Sequence, residues 1–136
     1  LGQSRFDFLG FEFRWGKDRA GKPRVLRRTT RKKLRNSLKQ FTEWCKTKCR
    51  EGLQDLFREM NAKLRGYYNY YGVHGNYDSL NQFYREAMRM LFKWLNRRSQ
   101  RHSYNWTGFR ELVRDFQVVQ PYIVGRPKTR LAARAV

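Results

Sequence analysis

Between Leu64 and Val73 the chain carries four tyrosines and one arginine. Aromatic rings that can stack on bases, set among cations that can neutralise phosphates, are what a nucleic-acid surface requires. Tyrosine also packs well in a core when its hydroxyl finds a partner. On a helix, one face would hold Leu64, Tyr67, Tyr68 and Tyr71, whereas Arg65 and Tyr70 would lie off that face. We therefore expect the shared face to be buried in part, with Arg65 as the best candidate for a nucleic-acid contact from this segment.

Two groups of cations accompany the tyrosines. The chain has 31 Lys and Arg residues against 11 Asp and Glu, for a formal net charge of +20. One cluster spans Lys22 to Arg35 without an acid, although the first turn of a helix prefers anions. A second set recurs every four residues on the long helix, where a solvated face would normally mix both signs. The candidate nucleic-acid-binding residues predicted in and around these groups are Arg28, Arg31, Lys32, Lys33, Arg85, Arg89, Lys93, Arg97 and Arg98, together with Arg65, Tyr67, Tyr68, Tyr70 and Tyr71; charge alone does not separate RNA from DNA.

Other side chains that could do chemistry are few. Cys45 and Cys49 stand four residues apart, which is half of a zinc site, but neither His74 nor His102 has a ligand-like partner nearby. We predict no metal, no cofactor and reduced, partly buried cysteines. Tyrosine recombination would need a His-x-x-Arg pair, which the sequences after both histidines lack. The aspartates are scattered rather than paired, so no catalytic residue is predicted.

Composition narrows the class of partner. The chain has 136 residues, of which 40% are hydrophobic and 16% aromatic, which is enough for one domain with a core and too apolar for a disordered basic tail. No run approaches the roughly 20 apolar residues of a membrane span, and no signal-like segment opens the chain. We therefore predict a nucleic acid as partner and no membrane. Reduced thiols favour a cytoplasmic location.

The sequence predicts a mainly α fold with an N-terminal β-hairpin followed by a small helical bundle. Aromatic residues alternate from Phe6 to Trp15, with a one-residue slip at Leu9-Gly10 that predicts a bulge, and the segment around Val25 reads as the return strand. Because the chain begins at Leu1 and enters this run almost at once, we expect a fragment of a longer protein.

Apolar spacing predicts five helical segments after the hairpin. The first begins at Thr29 or Thr30 and ends near Lys48. A short second helix covers Leu53 to Met60, and a third runs from about Ala62 to Tyr71. Ser79 opens the clearest helix, whose apolar face includes Trp94 and which ends near Ser99. Thr107 caps the last helix, which is expected to stop at Pro121.

Three motifs resemble one known family. Residues 6–14 (FDFLGFEFR) resemble the segment that closes the reverse-transcriptase domain of group II intron-encoded proteins. Residues 61–71 (NAKLRGYYNYY) resemble the central motif of their maturase domain, also called domain X or the thumb. Residues 91–100 (LFKWLNRRSQ) resemble the helix after it. The likeness covers about residues 5–124, in the family's order and spacing.

The resemblance implies an RNA-binding thumb or maturase domain that binds group II intron RNA and assists its splicing and mobility, within the reverse transcriptase of a mobile element. The expected partners are that RNA and the missing reverse-transcriptase domain. The polymerase's Tyr-x-Asp-Asp turn is absent from this sequence, and polymerisation needs carboxylates for two metal ions. We therefore predict that this chain alone is not an enzyme.

The same likeness predicts three units: residues 1–29 as a hairpin from the end of the palm, 30–124 as the maturase-specific domain and 125–136 as a basic tail. The alternative reading is a stand-alone basic RNA-binding protein with no intron role. Such a protein would share the composition but has no reason to carry a Phe-x-Phe-Leu-Gly hairpin before its helices.

Overall fold

The aromatic N-terminal segment forms two strands rather than one. The computed structural model describes residues 6–8, 10–17, 20–97 and 104–124. Strands β1 (Phe6–Phe8), β2 (Phe11–Lys17) and β3 (Pro23–Thr29) form an antiparallel sheet in the order β1-β2-β3. Because Phe8 is the register partner of Phe11, the chain reverses between these two residues, and Gly10 has a φ of 87°. The predicted bulge is therefore wrong: a period-two pattern persists across a tight turn as readily as across a bulge.

Four helices follow in the described part of the chain: α1 (Arg31–Lys48), α2 (Leu53–Tyr71), α3 (Tyr77–Arg97) and α4 (Trp106–Asp115). A sheet at the N-terminus followed by a mainly helical body confirms the predicted fold class. The prediction for α1 is also confirmed, since the Thr30 hydroxyl accepts a hydrogen bond from the backbone N–H of Lys33 at 3.1 Å.

The break predicted between two helices near Asn61 is wrong, because α2 is continuous over 19 residues. Its buried residues keep helical spacing across the supposed break: Leu56, Phe57, Met60, Leu64, Tyr68 and Tyr71. The Asn61 side chain is directed away from its own helix: its Oδ1 accepts from Val119 N at 3.0 Å. A residue type that often interrupts helices is here a tertiary anchor.

Two further helix ends differ from prediction. Helix α3 begins at Tyr77, two residues before the predicted Ser79 start. Helix α4 is capped by Asn105, whose side-chain oxygen accepts from Gly108 N at 2.8 Å, rather than by Thr107. It ends at Asp115, well before Pro121, and Gln117 follows with a φ of 52°. An asparagine cap is as favourable as a threonine cap, so composition alone did not separate them.

The core forms around α2. Tyr67 stacks on Phe83 of α3 with ring centroids 3.9 Å apart, and Phe57 stacks on Phe116 at 4.5 Å. Phe11 of β2 is buried and contacts Tyr71 at 5.3 Å, so the sheet contributes to the same core. Cys45 and Cys49 are both buried, and burial raises the pKa of the Cys45 thiol to about 12.

Residues 116–124 run along α2 and are here called the strap. Its hydrogen bonds reach the middle and the C-terminal end of α2: from Val119 N to Asn61, from the Tyr68 hydroxyl to Val119 O at 3.0 Å, and from Val124 N to Gly72 O at 2.7 Å. The Tyr122 hydroxyl also donates to Asn69 at 2.7 Å. The strap therefore covers a side of α2 that would otherwise face solvent.

The predicted division at residues 29 and 124 stays a prediction. The proposed tail, residues 125–136, lies outside the described residues.

Candidate nucleic-acid interface

The tyrosine segment on α2 divides between core and surface. Leu64, Tyr68 and Tyr71 are buried, and Tyr67 is largely covered by Phe83. Burial raises the pKa of the Tyr67 and Tyr68 phenols, so both are neutral at physiological pH. The shared face predicted from helical spacing is therefore a packing face, and in this conformation its rings are not open to bases.

Tyr70 is the exposed member of the segment, with half of its surface accessible. Its ring lies 5.7 Å from that of Phe11, and the Arg27 guanidinium lies 5.7 Å from the same Phe11 ring. Arg65 is also exposed on α2, beside Gly66. Both lie off the buried face, as their spacing predicts.

A cleft of about 610 Å³ opens where β3 passes into α1, and we call it the α1 cleft. Three of the predicted residues, Arg28, Arg31 and Lys32, line it together with Arg35. Neutral polar and apolar groups complete the wall: Thr29, Thr30, Leu34, Ser79 and Gln82. Four cations on one concave wall give a strongly positive recess, because low-dielectric walls focus the field.

One carboxylate shares the α1 cleft. Glu12 on β2 is the register partner of Arg28 on β3, and its Oε1 accepts from Arg28 Nε at 3.1 Å. The pair fixes the Arg28 guanidinium against the sheet. With four cations and one acid among its lining residues, the α1 cleft keeps a net positive charge.

Asn76 fixes the position of Thr29, one of the residues that line the α1 cleft, through hydrogen bonds. It is fully buried in the loop between α2 and α3, and its Oδ1 accepts from Thr29 N at 2.8 Å. Its Nδ2 donates to the Thr29 hydroxyl at 2.8 Å and to Tyr71 O at 2.7 Å. The end of β3, and hence the start of α1, is thereby tied to the end of α2.

The remaining predicted residues do not join the α1 cleft. The Lys33 side chain passes close to Gly10, beside the Tyr71 hydroxyl. Arg85 and Arg89 are exposed on α3, where Arg89 pairs with Glu86 at 3.2 Å. Lys93 and Arg97 surround Trp94 near the end of α3, and Arg98 lies outside the described residues.

Sequence reasoning missed the residues that distant elements bring to these places. Glu12, Ser79 and Gln82 reach the α1 cleft from β2 and α3, and Lys46 of α1 lies 5.6 Å from the Trp94 ring. Trp94 itself is half-buried, less than its place in the apolar pattern predicts. Of these, only Lys46 carried a signal: it follows Arg35, Lys39 and Thr42 at helical spacing on one stripe of α1.

The described residues hold no group of three or more His, Cys, Asp or Glu side chains that could bind a metal ion. Within the same residues, no helix combines the length and apolarity needed to cross a bilayer.

The fold and the α1 cleft define a basic, mainly helical protein with a concave surface suited to anions. Residues 24–112 match the family described as group II intron, maturase-specific domain, from β3 through most of α4. Because the match covers more than half of the chain, the chain belongs to this family. Membership assigns it to group II intron splicing and implies an interaction with group II intron RNA in general. No curated protein and no solved structure matches the chain.

Proposed function

We propose that the chain binds group II intron RNA directly through the α1 cleft and thereby assists splicing. The observation that carries the proposal is the coincidence of the family match with the cleft: every cationic residue that lines it falls within residues 24–112. Arginine suits this role because its fork pairs bidentately with phosphate oxygens.

The charge arrangement supports an anionic ligand. The first turn of α1 has no acid and carries Arg31 and Lys32, next to the positive end of the helix dipole. This repulsion is relieved when a phosphate enters the α1 cleft, since it gains from the cations and the helix end alike. Relief of this electrostatic repulsion on binding therefore adds to the affinity of the α1 cleft for a polyanion.

In this proposal the chain contributes binding rather than bond-breaking. It is the RNA-binding part of an intron-encoded reverse transcriptase, whose polymerase domain is a second partner and carries the chemistry of mobility. We place it in the cytoplasm, the location that reduced thiols favour.

A double substitution tests the proposal. Changing Arg31 and Lys32 to Gln removes two charges from the α1 cleft, and the expected result is a roughly ten- to hundredfold loss of affinity for a group II intron RNA. The slope of log K against log salt should become shallower by about 1.4, at about 0.7 for each single-stranded contact. Filter binding at several salt concentrations measures both, and splicing of the same RNA is followed in parallel.

Arg110→Gln with Arg114→Gln is the matched control, because both residues are exposed on α4 and the change in charge is the same. Equal losses in the two variants would mean that the positive charge acts globally and that the α1 cleft is not a site. If unrelated structured RNA competes as well as the intron, the stand-alone RNA-binding alternative is correct.

A further inference from the structure

Helices α1 and α3 pack side by side and run in the same direction. Ser79 and Gln82, at the start of α3, line the α1 cleft with the start of α1. Trp94, near the end of α3, lies beside Lys46, near the end of α1. The pair therefore has one end at the α1 cleft and the other at Trp94.

A groove of about 430 Å³ lies between these two ends and is called the α1–α3 groove. Its α1 wall includes Arg35, Lys39 and Thr42, and its α3 wall includes Glu86 and Met90. Arg35 lines both the groove and the α1 cleft, so the two openings share a wall. Residues 35, 39, 42 and 46 follow one another at steps of three and four, which places them on a single stripe of α1.

Three cations converge at the far end of this stripe. Lys46 and Lys93 place their Nζ atoms 5.6 Å from the centre of the Trp94 ring, and the Arg97 guanidinium lies 5.2 Å from it. We call these four residues the Trp94 cluster. The face of the ring attracts each cation, while the three cations repel one another.

Neighbouring acids do little to neutralise the Trp94 cluster. Lys46 pairs with Glu43 at 3.3 Å, but both side chains are about half exposed, and such pairs contribute little. Among the described residues Lys93 and Arg97 form no ion pair. Helix dipoles favour cations near the ends of α1 and α3, but they do not require cations from two helices to meet at one ring.

We propose that a single RNA strand leaves the α1 cleft, follows the α1–α3 groove and is held at the Trp94 cluster. This inference rests on the proposed function and adds the path of the RNA beyond the cleft. Arg31 and Lys46 are 15 residues apart, so the path is about 22 Å long at 1.5 Å per residue. The axes of packed helices are about 8–10 Å apart, which leaves a groove that a strand can occupy and a duplex cannot enter.

Lys39 and Lys46 provide the test, because neither lines the α1 cleft. At about 3.4 Å per stacked nucleotide, a path of about 22 Å spans roughly six nucleotides. A trinucleotide then reaches only the cleft, whereas an oligouridine of twelve residues fills the whole path. Lys39→Gln with Lys46→Gln should weaken binding of the longer RNA about tenfold and make its salt slope shallower by about 1.4, with no change for the trinucleotide.

Two controls make the result decisive. The Arg110→Gln, Arg114→Gln variant removes the same charge from α4, and a twelve-base-pair RNA duplex presents the phosphates in a form too wide for the groove. The path is wrong if the longer strand loses no more affinity than it does in the α4 variant, or if the trinucleotide or the duplex loses as much as the strand. If the unaltered protein binds none of these short RNAs but still binds the group II intron RNA, the path is wrong and the proposed function stands. If it does not bind the intron RNA either, the proposed function fails as well.

Discussion

Tyr68 shows how one side chain can satisfy two requirements of the fold. Its ring fills the centre of the core, fully buried, and its hydroxyl donates to Val119 O in the strap. Buried tyrosine is stable when its hydroxyl has such a partner. The residue therefore belongs to the framework that positions the RNA-facing residues, and it is left out of the proposed interface.

Asn76 offers the sharpest test of the framework at the scale of a residue. Asn76→Ala would leave Thr29 N–H buried without its partner, which costs about 1–3 kcal/mol of unfolding free energy, whereas Tyr71 C=O keeps its hydrogen bond from Val73 N. Urea denaturation followed by circular dichroism measures the loss. Gln54→Ala, at an exposed site on α2, serves as control and should stay within about 0.5 kcal/mol of the unaltered protein. Equal midpoints in the two variants would show that the Asn76 bonds carry no stability.

The sequence predicted the burial or exposure of a side chain only where the geometry of a single helix determines it. Burial of Tyr68 and exposure of Tyr70 followed from spacing within α2, since the helix alone sets their relative direction. The contacts of Asn76, Glu12 and Lys46 depend on how separate elements meet. Local periodicity carries no information about such meetings, so these residues had to be found in the structure.

At the scale of an element, α2 combines a continuous core face with a glycine on its surface. Gly66 lies in the interior of α2, and a Cβ added there would meet no atom within 4 Å. Glycine destabilises a helix interior by about 0.5–1 kcal/mol relative to alanine. Nothing within the described fold requires glycine at this position.

Gly66→Ala should therefore raise the unfolding free energy by about 0.5–1 kcal/mol. Gly72→Ala is the contrasting change, because its Cβ would overlap the carbonyl oxygens of Tyr68 and Tyr122, and it should lower the unfolding free energy. Thermal melts of both variants provide the measurement. A destabilised Gly66→Ala protein would contradict the open space assigned to this face of α2.

Element types were easier to predict than element ends. The starts of α1 and α2 were predicted from Thr30 and Gly52, which are the residues directly before each helix. The division of α2 at Asn61 was wrong because asparagine is a weak helix former, whereas the strap supplies a tertiary partner for its side chain within the intact helix. The turn at Gly10 was missed for a related reason, since the reversal is defined by the antiparallel pairing of β1 with β2.

At the scale of the whole molecule, one buried thiol and two buried phenols with raised pKa values make the unfolding free energy fall at high pH. The Cys45 thiol has a pKa of about 12 in the folded chain against 9.0 ordinarily, so folding favours its neutral form. The contribution of this thiol to the unfolding free energy is complete below about pH 9 and is lost as the pH rises towards 12. The Tyr67 and Tyr68 phenols, whose pKa values burial also raises, add to the loss above about pH 10.

The unfolding free energy should therefore fall by about 1 kcal/mol between pH 9 and pH 10 through Cys45 alone. Urea midpoints at pH 8, 9 and 10 measure the fall. Cys45→Ala is less stable at pH 8 because of the cavity it creates, but it should lack this part of the pH dependence. Parallel curves for the two proteins would show that the thiol is not protected by burial.

The strap shows that the region matched by the family and the region that folds as one unit are not the same. The match to the family ends at residue 112, yet the chain continues along α2 and forms hydrogen bonds with it as far as Val124. Before the likeness begins, at residue 24, Phe11 has already entered the core. The residues that match the family are thus fewer than the residues that complete the core of this protein. An expression fragment cut to the borders of similarity would leave one flank of α2 uncovered and remove an aromatic ring from its centre.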